Sequence, residues 1–192
     1  RDPTTYPDLL SGGRFDGLLA MGVMPHIRNH VQVLRNMQGL VRPGGVVFIE
    51  FRNKLFSLFT FNRNTYEFVM DDLLAGVSDS VRGHVGQFLR ERLAMEMPPR
   101  RETHYDDETK AGYDAILSRF HNPFEVTELF EGLGFEDIEL LWYHYHPAMP
   151  LLAEKDPAAF REEAIRLEHE PSGWRGLFLC SAFVVQARKP RL

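Results

Sequence analysis

Cysteine is nearly absent. Cys180 is the single one in 192 residues, so no intrachain disulfide can form, and a reducing, cytoplasmic setting is the expectation. No apolar run reaches the roughly 18–20 residues that a membrane span needs, and none has the layout of a signal peptide. Membrane partners are therefore not expected. Basic charge is also short: 22 Lys and Arg stand against 27 Asp and Glu, a formal net charge of -5. Phosphate backbones want a basic face, so nucleic acid is not an expected partner, and the adjacent Arg100 and Arg101 make only a small basic spot. Internal repeats and low-complexity tracts are absent. So is an initiating methionine. The chain opens on Arg1 with a polar stretch, read as a cut start rather than a natural beginning.

What is present is ordinary for a globular domain: 44% hydrophobic and 26% charged residues, with fifteen Phe to make an aromatic core. After loop-like residues 1–14, FDGLLAMGVM (15–24) is an apolar run bounded by turn signals, predicted as a parallel strand buried on both faces. Residues 26–41 place Ile27, Val31, Leu34, Met37 and Val41 at helical spacing. Arg42-Pro43-Gly44-Gly45 is expected to stop that helix, and VVFIEF (46–51) to be a second buried strand, which closes one βαβ unit. Such a crossover is right-handed.

Residues 54–120 break the pattern. They hold helix-like stretches, NTYEFVMDDLLAGV and SVRGHVGQFLRERLAM, and a long polar loop, MPPRRETHYDDETKAGYD. This is too long for a simple connection in a compact sheet and is expected to be a mostly helical, lid-like insertion, its loop near 98–110 the most mobile part. The sheet pattern then resumes. Asn122 is a candidate N-cap and Pro123 a first helical residue for 122–135, with Gly134 near the end. A strand over 136–146, an amphipathic helix over 157–170 and a last strand over 176–187 follow. The expected division is 1–53 (two strands and a helix of a larger sheet), 54–120 (insertion) and 121–192 (remaining strands and helices).

Phe15-Asp16 opening a strand, Leu40-Val41-Arg42-Pro43-Gly44-Gly45 about twenty residues later, Leu133-Gly134-Phe135 before a strand and the closing GLFLCSAFVVQA occur in order. Together they resemble the carboxyl-terminal part of a class I S-adenosylmethionine-dependent methyltransferase, from its fourth strand onward. The resemblance implies an α/β fold: a partial Rossmann-like sheet of parallel strands with an antiparallel last strand inserted beside the fifth, plus the helical insertion. It implies S-adenosylmethionine as cofactor. The family's glycine-rich loop after the first strand is missing, as are the acids after the second and near the third strand. Gly12-Gly13 has no strand before it and cannot substitute. Those parts either precede Arg1, or come from another chain, or are lost in a non-catalytic relative.

Ligands of an open α/β sheet bind beyond the carboxyl ends of its parallel strands. Met21, Gly22, Val23 and His26 follow the first strand and are the expected cofactor contacts. Arg52 and Asn53 follow the second, near Glu50. His121 opens the returning helix, Tyr143, His144, Tyr145 and His146 end the next strand, and Trp174-Arg175 lead into the last. Four of eight histidines (His26, His121, His144, His146) thus belong to one expected rim. Methyl transfer to a hydroxyl needs a base, and histidine titrates near working pH, so His121 and His144 are the catalytic candidates. Arg52, Asn53, Tyr66, Tyr143, His146, Trp174 and Arg175 are the substrate-binding candidates. Plain structural roles stand beside these. Arg52 would be an ion-pair partner of Glu50 or of a lid acid, Trp174-Arg175 a packed corner, and Tyr143–His146, with the two Tyr on one face and the two His on the other, a strand end packed under the final connection with its histidines satisfied by backbone carbonyls. Cys180 reads as an inert core thiol. His144 and His146 have an i, i+2 spacing that some metal sites use, but no metal is expected.

The expected function is methyl transfer to a small polar acceptor, an O-methylation of a hydroxylated or sugar-like molecule. The alternative is a non-catalytic module that docks on a partner chain. Methylation of protein or nucleic acid is disfavoured: an Asn/Asp-Pro-Pro-Tyr/Phe motif is absent, and Asn122-Pro123-Phe124 opens a helix instead. Acceptor identity and oligomeric state are not legible in the sequence.

Overall fold

The computed structural model describes residues 15–97 and 118–191. Gly12-Gly13, Arg100-Arg101 and most of the long polar loop lie outside them. The elements are β1 (Phe15–Ala20), α1 (His30–Leu40), β2 (Val41–Arg52), α2 (Ser57–Thr60), α3 (Arg63–Glu67), a π-helical turn (Phe68–Leu73), α4 (Asp79–Arg90), α5 (Pro123–Gly132), β3 (Glu136–Tyr145), α6 (Pro157–Leu167), α7 (Gly176–Leu179) and β4 (Cys180–Arg188). No described helix is long and apolar enough to cross a membrane.

The sheet order is β1-β2-β4-β3. β1 runs parallel to β2, and β4 runs antiparallel to β2, from Val46 opposite Arg188 to Arg52 opposite Ala182. Arg188 reaches Asp137 and Gln186 reaches Glu139, so pairing numbers rise on one strand as they fall on the other, and β3 runs antiparallel to β4. A last strand inserted antiparallel beside β2 is what the family resemblance implies.

The chain divides into two compact units. The first is 1–53, 117–143 and 182–192; the second is 54–116 with 144–181. In the first unit the core lies on one face of β2. Val47, Ile49 and Phe51 are buried at every second position, while Glu50 and Arg52 share the half-buried face. Phe51 is sealed by Phe183 of β4 and Phe130 of α5, and Trp142 of β3 packs on Phe183. Helix α5 starts where its sequence predicts: the Asn122 side chain accepts the Phe124 N–H, and Pro123 takes the first position.

Three local expectations are corrected. The strand at 15–24 ends at Ala20, followed by a turn and a short 3-10 helix over Met24–His26. Nor is it buried on both faces: Leu19 is 71% exposed, because β1 is the outer strand of the described sheet. The Pro-Gly-Gly segment does not stand as a turn between helix and strand. Helix α1 passes at Leu40 straight into β2, and the register jumps from Phe15 opposite Val41 to Gly17 opposite Val46, so Arg42–Gly45 bulge within the strand. Gly44 has φ 77°, a conformation that favours glycine, and a Cβ on Gly45 would lie 2.2 Å from Val41 Cγ1 and 2.8 Å from Asp16 O. The last strand begins at Cys180, not 176, since Gly176–Leu179 form a helical turn.

In the second unit, α2 and α3 are joined through a buried hydroxyl network. Thr60 and Thr65 both donate to the Ser57 carbonyl, and Asn62 caps α3 with Thr65 reaching back to it. Tyr66 is held by Arg90 of α4, which bonds its hydroxyl and lies over its ring, and Gly86 leaves the room for that hydroxyl.

Candidate functional site

At the carboxyl end of β1 the chain turns through Met21, Gly22 and Val23. Gly22 has φ 68°, and open space surrounds the position where a Cβ would stand. Its N–H donates to Glu50 Oε2, from the end of β2. A carboxylate on one strand thereby fixes the exposed turn after its neighbour, leaving the Gly22 backbone within reach of a ligand. His26 follows in the 3-10 helix, its N–H on the Val23 carbonyl.

Beyond β2, Arg52 and the fully buried Asn53 meet the returning segment 118–121. His121 N–H donates to the Arg52 carbonyl at 2.7 Å, and Asn53 and His121 form a parallel bridge that extends the strand. The Arg52 guanidinium bonds Ser118 Oγ, while Glu50 serves Gly22, so the two side chains expected to pair have separate partners.

His121 is 8% exposed and sits edge-on against Phe51, ring centroids 5.0 Å apart. Its Nε2 is 3.1 Å from Nε2 of His30, the first residue of α1, and that same His30 nitrogen is 3.1 Å from the Met24 carbonyl. Two imidazoles and a carbonyl thus form a short polar chain against the aromatic core. His30 was not singled out in the sequence. The available signal was its place four residues after His26, at the start of a helix behind the Asn29 cap.

Of the remaining candidates, Tyr143 belongs to this first unit, whereas Tyr66, His144, His146, Trp174 and Arg175 belong to the second. His144 has φ 56°, which interrupts the strand alternation expected over Tyr143–His146. It is exposed, while Tyr145 is buried, donates its hydroxyl to the Glu170 carbonyl at 2.7 Å, and has its pKa raised mainly by burial. Tyr145 is thus a structural latch. Burial likewise pushes the Cys180 thiol up, which suits an inert core residue. Trp174 is 73% exposed rather than a packed corner, and Arg175 pairs with Glu170. Among the described residues no group of three His, Cys, Asp or Glu stands placed to hold a metal ion.

His146 lies between Phe56, at 4.6 Å, and Phe160, at 6.1 Å, with a buried Nδ1 that has no hydrogen-bond partner among the described residues. Burial, and then the neighbouring His144 charge, lower its pKa from 6.5. The sign follows: above that value folded and unfolded rings are both neutral, and below it the unfolded ring takes a proton that the folded one resists. Stability should therefore fall as pH drops below about 6.5. His146→Phe should reduce the loss of urea midpoint between pH 7.5 and 5.5. An unchanged loss would mean that His146 is not a source of it.

No family model matches the chain, and no curated protein matches it in sequence. The strand order and directions are those implied for a class I methyltransferase sheet, an α/β fold of parallel strands with an antiparallel last strand. Among solved structures the chain is similar to a SAM-dependent methyltransferase from Archaeoglobus fulgidus (13% identity, 98% of this chain and 66% of that one, TM-score 0.43). It is also similar to a SAM-dependent methyltransferase from Thermotoga maritima, possibly a histamine N-methyltransferase (11%, 93% and 57%, 0.44). A third is phosphoethanolamine N-methyltransferase 2 of Haemonchus contortus, solved with S-adenosyl-L-methionine (14%, 92% and 34%, 0.38). The chain spans about two thirds of the first of these, and less of the others.

Proposed function

We propose that the whole protein is an S-adenosylmethionine-dependent methyltransferase acting on a small polar acceptor, by O-methylation of a hydroxylated or sugar-like molecule. The observation that carries this reading is the sheet itself. Its parallel β1 and β2, with β4 antiparallel beside β2, bring a glycine turn and a histidine pair to the carboxyl ends of adjacent parallel strands. Met21, Gly22, Val23 and His26 would contact the cofactor, and the open, Glu50-fixed backbone at Gly22 fits a ligand approaching closely. When bound, the cofactor would supply an electrophilic sulfonium methyl group, whose carbon–sulfur bond breaks with the sulfur leaving as a neutral thioether. Arg52 would orient the acceptor hydroxyl, the fully buried Asn53 would hold the strand end behind it rather than touch the acceptor as expected, and His121, backed by His30, would take the hydroxyl proton as the new oxygen–carbon bond forms. His144 is the second candidate base, and Tyr66, Tyr143, His146, Trp174 and Arg175 further candidate contacts. A reducing, cytoplasmic compartment fits the lone buried thiol.

One observation favours a second reading, a non-catalytic module that docks on a partner chain. The outer edge of β1 is unpaired in the described sheet and carries the exposed Phe15 and Leu19, a surface ready for strand addition. Calorimetric titration of S-adenosylmethionine into the full-length protein and into this segment separates the two. Under the enzyme reading the full-length protein binds, the segment alone binds weakly or not at all, and Gly22→Val weakens full-length binding at least about tenfold. Absence of binding to the full-length protein would favour the module.

A further inference from the structure

Positive charge gathers in the first unit, on the segment that runs past the end of β2. Arg52 is tied to this strap twice, through its carbonyl to His121 N–H and through Nη1 to Ser118 Oγ. Next to Ser118, Arg119 is anchored by its N–H to the Pro25 carbonyl at 3.0 Å, and its Nη1 reaches the Arg28 carbonyl at 3.4 Å. The Arg119 guanidinium therefore lies beside the start of α1, where Asn29 is the N-cap and the first turn holds no acidic residue. Arg28 is exposed there as well. Arg52 and Arg119 both donate to neutral oxygens, and neither is in an ion pair with a described residue. By contrast Arg42 pairs with Asp16, Arg175 with Glu170 and Arg188 with Asp137. The nearby carboxylate on the face of Arg52, Glu50, accepts the Gly22 N–H.

Among the described residues the two guanidinium groups meet only neutral oxygens, which leaves each with further N–H donors suited to an oxyanion, and a helix N-terminus adds field of the same sign. Among the described residues this local positive charge runs against the chain's net charge of -5. We propose that the Ser118–His121 strap, through Arg119 and Arg52, binds an oxyanion borne by the acceptor, a phosphate monoester or a carboxylate. The inference rests on the reading that acceptors enter at the carboxyl ends of β1 and β2. It narrows the acceptor from any polar molecule to an anionic one.

The test is calorimetric titration of the full-length protein with inorganic phosphate and, in parallel, with succinate, at ionic strength held constant with chloride. Saturable binding of either anion is expected, phosphate preference indicating a phosphate monoester and succinate preference a carboxylate. Arg119→Gln, at an exposed position, should weaken that binding about tenfold or more, and Arg52→Gln should do the same. Arg42→Gln should leave it unchanged. Binding no stronger than chloride, or equal binding by wild type and Arg119→Gln, would overturn the proposal. S-adenosylmethionine affinity is measured on the same samples. Its absence with anion binding retained sinks the methyltransferase reading and leaves the oxyanion site standing, whereas its presence without anion binding sinks the site alone.

Discussion

His121→Ala should lower turnover per folded molecule of the full-length protein by ~10²–10⁴, with cofactor affinity nearly unchanged. The reasoning starts from the tautomers. The Met24 carbonyl can only accept, so a hydrogen on His30 Nε2 serves that carbonyl and presents itself to the His121 Nε2 lone pair. If His30 instead carries its hydrogen on Nδ1, its Nε2 accepts from His121 Nε2–H, and the basic lone pair of His121 moves to Nδ1. Gain of a proton by His121 is thus coupled to the tautomer of His30, which lets the pair settle charge in a site largely shielded from water. His30→Gln keeps one hydrogen-bonding group but not the tautomer change, and should cost about tenfold in turnover and move the acid limb of the pH–rate profile. Two results would defeat this account. Near-normal turnover for His121→Ala would leave His144 as the remaining candidate. A loss matching the unfolded fraction would make His121 a structural residue beside the Asn122 cap.

The sheet was legible because its signals are local and apolar. Alternation along Val47, Ile49 and Phe51 marks a strand with one buried face, and Asn122-Pro123 marks a helix start; both needed nothing beyond neighbouring residues. Legibility ended where backbone conformation overrides side-chain pattern. His144 carries a left-handed φ that no alternation rule foresees, so its side chain left the face that spacing assigned to it. The Pro-Gly-Gly run reads as a turn, but pairing with β1 draws it into a bulge, a consequence of strand register rather than of composition. The site was read in part. Sequence order brought His121, Arg52 and Asn53 to one strand end, but His30 sits 91 residues away from His121 and became visible only once α1 was packed against Phe51. Likewise Glu50 looked like a partner for Arg52, two residues on along the strand. The Gly22 N–H and Ser118 Oγ hold those groups instead, and both come from segments that only the packed chain brings to the strand end.

Phe51→Ala should destabilise the protein by about 3–5 kcal/mol, the range for removing a fully buried phenylalanine. Phe51 is without solvent exposure, stacks on Phe183 with centroids 5.6 Å apart, and meets Phe130 at 6.1 Å and His121 at 5.0 Å. Strand β4 and helix α5 hold Phe183 and Phe130 in place, so a cavity left there can close only by moving the sheet or the helix that follows His121 and its Asn122 cap. Against a total stability on the order of 5–15 kcal/mol, such a loss is a large fraction. Phe51→Leu fills most of the volume and should cost about 1–1.5 kcal/mol. The contact with His121 predicts more than a stability change. His121→Ala and Phe51→Leu should be non-additive by about 0.5 kcal/mol or more, because each ring is part of the wall that orients the other. Urea denaturation of the two single variants and the double variant at pH 7.5 measures this directly. Strict additivity, or a cost below about 1 kcal/mol for Phe51→Ala, would show that the core under the histidine pair is not packed as described. A coupled result would tie the geometry of the proposed base to the aromatic core, so that turnover in Phe51→Leu should fall while the protein stays folded.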